Sequence, residues 1–224
     1  MIVTPTAPPG TLTARDLLAA CPVVPVVVLD RAQDAVPLGE ALLAGGITAV
    51  EITLRTAAGR DAIAAAAGAL PELTVGAGSV LTPDHVDLVV DAGARFVVSP
   101  GLHPAVVARC TERSVPTLPG VATSSEVMTA VNLGLTEVKF FPAELLGGPA
   151  AIRSLSAPFP AVSFLPSGGI GPGNLAGYLA LPCVPAVSGS WMVDPALIRG
   201  GDWTEITRRS AVAVRAATAL IADR

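Results

Sequence analysis

Short β-branched runs alternate with alanine- and leucine-rich segments at intervals of roughly 20 to 30 residues along this chain. No other feature limits the fold as strongly, because a βαβ series buries its strands in a parallel sheet covered by helices. The candidate strands are residues 23–29, 49–54, 73–77, 96–99, 115–118, 137–141, 162–166 and 184–188. Helix-like stretches run over 34–44, 59–70, 83–92, 104–112, 124–133, 148–155, 172–179 and 203–221, the last with the strongest helical pattern. Thr82-Pro83 and Gly171-Pro172 put proline where a helix can begin, and Thr123-Ser124-Ser125-Glu126 has the form of a capping box. Eight strands with eight helices point to a closed (β/α)8 TIM barrel. Periodicity alone does not distinguish it from an open doubly wound sheet.

A single domain over residues 1–224 fits the length, with residues 1–10, which hold three prolines, as a flexible tail ahead of the first helix. Half the residues are hydrophobic (51%) and 14% are charged, enough apolar material for a large core. The apolar runs stay well short of the ~20 residues of a membrane span, so no membrane is expected. A net charge of -4 gives no general attraction to nucleic acid. The first ten residues lack the basic and apolar regions of a secretory signal. Cys21, Cys110 and Cys183 are odd in number and widely spaced, reading as reduced thiols of a cytoplasmic protein without a catalytic signature.

In such a barrel the chemistry sits at the C-terminal ends of the strands. Along 49–55, side chains alternate, so Val50, Ile52 and Leu54 share one face while Glu51, Thr53 and Arg55 share the other. The apolar face suits packing under outer helices. The polar face would put a carboxylate, a hydroxyl and a guanidinium where aliphatic side chains normally fill the interior. The plain alternative is an interior Glu51–Arg55 ion pair, although buried pairs stabilise weakly relative to apolar packing.

Along 137–141, Lys139 shares a face with Glu137 and Phe141 and is the only lysine beside thirteen arginines. Arginine is effectively always protonated, whereas a buried lysine can lose its proton and act as a nucleophile. The competing reading is a lysine snorkelling to solvent or fixing a phosphate. Two glycine-rich turns, Pro166-Ser167-Gly168-Gly169-Ile170-Gly171 and Ser188-Gly189-Ser190-Trp191, follow the last two strands. Barrels often cradle phosphate there, and tight loops alone would also account for the glycines. His85 falls within a helix and reads as a surface residue, while His103, after Ser99-Pro100-Gly101, could approach the site mouth. No HExxH or Cys/His cluster occurs, so no metal site is expected, and neither a dinucleotide turn nor a GxxxxGK[ST] loop is present.

Seven segments then resemble one family in order and spacing: Glu51-Ile-Thr-Leu-Arg55-Thr, Gly76-Ala-Gly-Ser-Val-Leu81, Ser99-Pro-Gly101, Pro119-Gly120-Val, Lys139-Phe-Phe-Pro-Ala-Glu144, Pro166-Ser-Gly-Gly-Ile170 and Gly189-Ser-Trp191. The family is that of the KDPG/KHG aldolases, class I enzymes acting on 2-keto-3-deoxy-6-phosphogluconate and 4-hydroxy-2-oxoglutarate. The resemblance implies that Lys139 is the Schiff-base lysine and Glu51 the general acid/base. It implies that Arg55 and Ser79 bind the pyruvate-end carboxylate, with Pro100 and Phe141 lining the site. Gly168, Gly169 and Ser190 would form the phosphate cradle. It further implies a homotrimer, a small 2-keto acid substrate, and no metal or organic cofactor. Ser79 and Ser167 stand where threonine is common, and both keep a hydroxyl. Ser188 stands where glycine is common, and its Cβ is expected to crowd the phosphate loop.

The leading expectation is therefore an aldolase that cleaves 2-keto-3-deoxy-6-phosphogluconate to pyruvate and glyceraldehyde 3-phosphate. The alternatives are a 4-hydroxy-2-oxoglutarate aldolase releasing glyoxylate, a phosphate-binding barrel isomerase or synthase, and a sugar-acid-binding barrel without chemistry.

Overall fold

The computed structural model describes residues 12–222, so the expected tail at residues 1–10 lies outside the described residues. Its strands are β1 (Val23–Val27), β2 (Ala49–Thr53), β3 (Thr74–Gly78), β4 (Phe96–Val98), β5 (Thr117–Leu118), β6 (Gly120–Val121), β7 (Glu137–Phe140), β8 (Ser163–Pro166) and β9 (Val187–Gly189). All the pairings are parallel. Six strands form one curled sheet in the order β5-β4-β3-β2-β1-β9, and β6-β7-β8 form a second. The helices are α1 (Ala14–Ala20), α2 (Ala35–Ala44) behind a 3₁₀ turn at Ala32–Asp34, α3 (Gly59–Ala69), α4 (Pro83–Asp91) and α5 (Pro104–Glu112). Then follow α6 (Ser124–Asn132), α7 (Gly148–Ser156), α8 (Leu175–Leu179), α9 (Pro195–Gly200) and α10 (Trp203–Ala222). The architecture is α/β, as the alternation of runs requires.

Proline trims several expected strands. Pro116, Pro119 and Pro185 carry no N–H to donate to a ladder. The run expected at 115–118 therefore becomes β5 and β6 on either side of Pro119, and the run at 184–188 begins pairing only at Val187. β5 pairs with β4 and β6 with β7, so the proline marks the point where the chain passes from one sheet to the other. Its carbonyl still accepts from Lys139 N–H at 2.9 Å.

Capping side chains start α1, α4, α6 and α9. Thr82 caps α4 ahead of Pro83, and Thr123 with Glu126 closes the expected capping box on α6. Pro172, in contrast, does not open a helix. Gly171 N–H donates to Asn174 Oδ1 at 2.8 Å, holding a turn, and α8 begins only at Leu175. Two short helices were not among the expected stretches: α1, boxed by Thr13 and Asp16, and α9, capped by Asp194 ahead of Pro195.

Between sheet and helices lies one continuous apolar core. Phe96, Phe140, Phe164 and Tyr178 are its largest fully buried side chains, each contributing roughly 2–3 kcal/mol through burial. α10 lies against α2, where Gly45 leaves room for Ser210 and Thr207 Oγ1 donates to Ala41 O at 3.0 Å.

Replacing Thr123 with alanine leaves the α6 N–H groups uncapped. The expected cost is about 1 kcal/mol of stability, read as a lower urea midpoint with an unchanged slope.

Candidate active site

Parallel pairing sets the C-terminal ends of all strands on one edge of the molecule, and a cavity of about 360 Å³ opens there. Its wall takes Val26 from β1, Glu51 and Thr53 from β2, Lys139 from β7 and Gly189 from β9. Arg55, Ser79, Pro100, Phe141, Ser167, Gly168, Gly169, Ile170 and Ser190 join it from the segments that follow the strands. Each site residue singled out in the sequence thus lines a single pocket. Val26 and Ile170 were not singled out, since nothing separates an apolar wall residue from a core residue in a linear pattern.

At the floor, Lys139 Nζ lies 3.2 and 3.3 Å from the two carboxylate oxygens of Glu51. Both side chains are buried, at 7% and 2% exposure. The partner of Glu51 is Lys139, which corrects the alternative of a Glu51–Arg55 pair. Arg55 is exposed and directs Nε toward Thr53 Oγ1 at 3.4 Å. Lys139 Nζ also sits 5.4 Å from the centre of the Phe141 ring, within reach of its π face.

Two glycines on β3 make room for this floor. A Cβ on Gly78 would sit 2.2 Å from Glu51 Oε1, and one on Gly76 would sit 2.2 Å from the Phe96 ring. Since Glu51 pairs with Gly76 and Thr53 with Gly78 across the ladder, the Glu51 side chain leans over Gly78. The next residue, Ser79, takes φ 60 on the pocket wall, a left-handed backbone that a side chain adopts only at a cost.

The opposite rim is built from backbone. Gly168 and Gly169 take φ 96 and 81, conformations open to glycine without penalty. The N–H groups of Gly168, Gly169, Ile170 and Ser190 have no intramolecular acceptor among the described residues. Successive unpaired N–H groups on a concave rim form a site for an anion. Ser188 lies one residue deeper, fully buried, in parallel bridge with Ser167, and does not line the pocket. The expected crowding of the rim by its Cβ is therefore not observed.

His103 stands apart. It is exposed at the N-cap of α5 and lines a neighbouring cavity of about 250 Å³ with Val80, Leu81, Ser99 and Leu102. The two cavities share Pro100. Among the described residues no group of three or more His, Cys, Asp or Glu is arranged to hold a metal, and no helix is long and apolar enough to cross a membrane.

The family model for KDPG and KHG aldolase matches residues 15–209. The 2-dehydro-3-deoxy-phosphogluconate aldolase of Treponema pallidum is 47% identical, covering 89% of this chain and 95% of its own. The KHG/KDPG aldolase of Escherichia coli K12 is 44% identical, covering 92% and 96%. Among solved structures, KDPG aldolase from Legionella pneumophila, with pyruvate captured at low pH as a covalent carbinolamine, superposes with a TM-score of 0.86. It is 42% identical and covers 89% of this chain and 96% of that one.

The contact between Gly78 and Glu51 can be tested by stability alone. Gly78→Ala should destabilise the fold by about 1–3 kcal/mol in urea unfolding. In a Glu51→Ala background the same change should cost little, because the overlapping carboxylate is gone.

Proposed function

This chain belongs to the KDPG and KHG aldolase family, and we propose that the pocket carries out the family's chemistry with Lys139 as nucleophile and Glu51 as general acid/base. The reaction is the cleavage of 2-keto-3-deoxy-6-phosphogluconate to pyruvate and glyceraldehyde 3-phosphate. The observation that carries these roles is the 3.2 Å approach of Lys139 Nζ to Glu51 inside a buried floor.

At that distance the carboxylate can take a proton from the ammonium, freeing the nitrogen lone pair. The amine adds to the C2 ketone, giving a carbinolamine. Glu51 returns the proton to the departing hydroxyl, and water leaves with formation of a protonated imine. Glu51, again a carboxylate, removes the C4 hydroxyl proton. The C3–C4 electron pair moves into the imine as the aldehyde forms, leaving an enamine. The same carboxyl group then protonates the enamine at its methylene carbon, and hydrolysis releases pyruvate and the free amine. One carboxylate serves each step because each proton it takes up is needed again in the next.

Arg55 and Ser79, on the wall beside the pair, suit the carboxylate at the pyruvate end. Pro100 and Phe141 supply apolar flanks. The unpaired N–H groups of Gly168, Gly169, Ile170 and Ser190 suit the phosphate at the far end of the substrate. The same floor would act on 4-hydroxy-2-oxoglutarate, with glyoxylate leaving, and the anion-accepting rim is what favours the phosphorylated acid.

We further propose that the described residues, 12–222, form one domain in which the two sheets close into a (β/α)8 barrel. Support comes from the passage of the chain through Pro119 at one seam. At the other, Ser167 bridges Ser188 and Phe164 N–H donates to Cys183 O at 2.7 Å. Assembly as a homotrimer is part of the same proposal, with Leu81, Met128 and Leu145 among the exposed large hydrophobics available for contact between copies. The unpaired Cys21, Cys110 and Cys183 fit a cytoplasmic setting.

Incubation with pyruvate and borohydride should add one pyruvate-derived mass per chain, mapped by peptide sequencing to Lys139. Labelling confined to another amine would overturn the assignment. Glu51→Gln should slow cleavage by roughly a hundredfold or more, the scale for losing a general acid/base. Near-normal turnover would reduce Glu51 to a structural partner of Lys139.

A further inference from the structure

The Lys139-to-Glu144 segment ends in a carboxylate that the chemistry above does not use. Glu144 lies on the loop between β7 and α7, and its carboxylate accepts from the hydroxyl of Tyr178 on α8. Tyr178 is the only tyrosine in the chain and is fully buried. Burial, and then the bond to Glu144, hold its hydroxyl well above the usual phenol range, so it remains a donor.

Glu144 also grips the glycine turn after β8. Its backbone N–H donates to Gly168 O at 3.1 Å, and the preceding Ala143 N–H donates to Ser167 O at 2.8 Å. The side-chain stem fills the space beside Gly169, where a Cβ would lie 2.6 Å from Glu144 Cγ. A Cβ on Gly148 would lie 3.3 Å from Glu144 Oε1 and 3.4 Å from Tyr178 Oη, so glycine there leaves room for the bond. On the other side of the turn, Asn174 Nδ2 donates to Gly169 O at 2.9 Å. Both carbonyls of the Gly168-Gly169 pair are thereby taken, while their N–H groups, on residues that line the pocket, have no acceptor among the described residues.

We propose that Glu144 and Tyr178 form a strut that fixes the Gly168-Gly169 turn in its anion-accepting shape, making them positioning residues for the phosphate end of the substrate. The inference rests on the reading of this rim as the phosphate site. Neither residue lines the pocket, so the strut acts through the turn and leaves the Lys139–Glu51 floor unaltered. The carboxylate itself is tied to α8 by the phenol. Without that bond the charged side chain beside Gly169 is free to swing, and both the shape of the turn and its welcome to an anion suffer.

The test compares the phosphorylated substrate, 2-keto-3-deoxy-6-phosphogluconate, with 4-hydroxy-2-oxoglutarate, which carries no phosphate. Tyr178→Phe keeps the ring and removes only the hydroxyl. It should raise KM for the phosphorylated acid on the order of tenfold, the scale of one lost charge-assisted bond, with kcat little changed. Its kcat/KM for the unphosphorylated acid and its pyruvate trapping should match the wild type. Glu144→Gln with Tyr178 intact, which keeps an acceptor for the phenol, should retain most of the wild-type affinity, and Glu144→Ala should reproduce the loss. Equal loss on both substrates, or no change on either, would overturn the strut. The underlying reading is tested separately in the unmodified protein: if it shows no preference for the phosphorylated acid, the rim is not a phosphate site and the strut's role falls with it.

Discussion

Burying Lys139 and Glu51 together sets the terms for the rest of this molecule. Two charges removed from water lose several kcal/mol of hydration each, and only close pairing with further support offsets that loss. The two residues are 88 positions apart and belong to different sheets, so their 3.2 Å contact requires the sheets to turn toward each other. It also requires space. β3 supplies that space through Gly78, while Gly76 accepts the Phe96 ring. The register of β2 against β3 brings these glycines level with Glu51 and Thr53, and a shift of one residue would send the carboxylate into the helical layer.

Around this rigid floor, the rim is made from backbone held in unusual shapes. Ser79, Gly168 and Gly169 have positive φ, and such residues persist only where the surroundings hold them. The turn after β8 is gripped through its carbonyls by Glu144 and Asn174. Under the proposed function, side chains on strands hold the reacting groups, and loops clasped to one another shape the anion end. This division suits a substrate whose reacting ketone and terminal phosphate call for different recognition. A covalent step needs placement within tenths of an ångström, whereas an anion is held by several weaker donors acting together.

Much of this was legible in the linear pattern. The strand and helix alternation gave the α/β class, and the Thr123–Glu126 box and Thr82-Pro83 marked real helix starts. The period of two along 49–55 placed Glu51 and Thr53 on the pocket side, and the lone lysine among thirteen arginines identified the nucleophile candidate. The errors have local causes. Pro172 has the form of a helix start, yet Asn174 captures Gly171 N–H and delays α8. Pro116, Pro119 and Pro185 sit in runs that are β-branched enough to be strands but cannot donate to the ladder. The Asp16 box and the Asp194-Pro195 cap were readable signals on helices too short to show a period.

What the sequence determined by itself is the type and facing of the long, periodic elements, because side-chain alternation and capping depend on neighbours a few residues away. What only the tertiary structure decided is which facing groups meet. Arg55, four residues on and just past the end of β2, is a natural partner for Glu51 in one dimension, yet the curled sheet gives that place to Lys139. His103, close to the site along the chain, belongs to the neighbouring cavity. Glu144 and Tyr178, 34 positions apart, meet behind the Gly168-Gly169 turn. Such contacts depend on strand register and on how sharply the sheets curl. Both are set by packing across the whole core, and no local pattern encodes them.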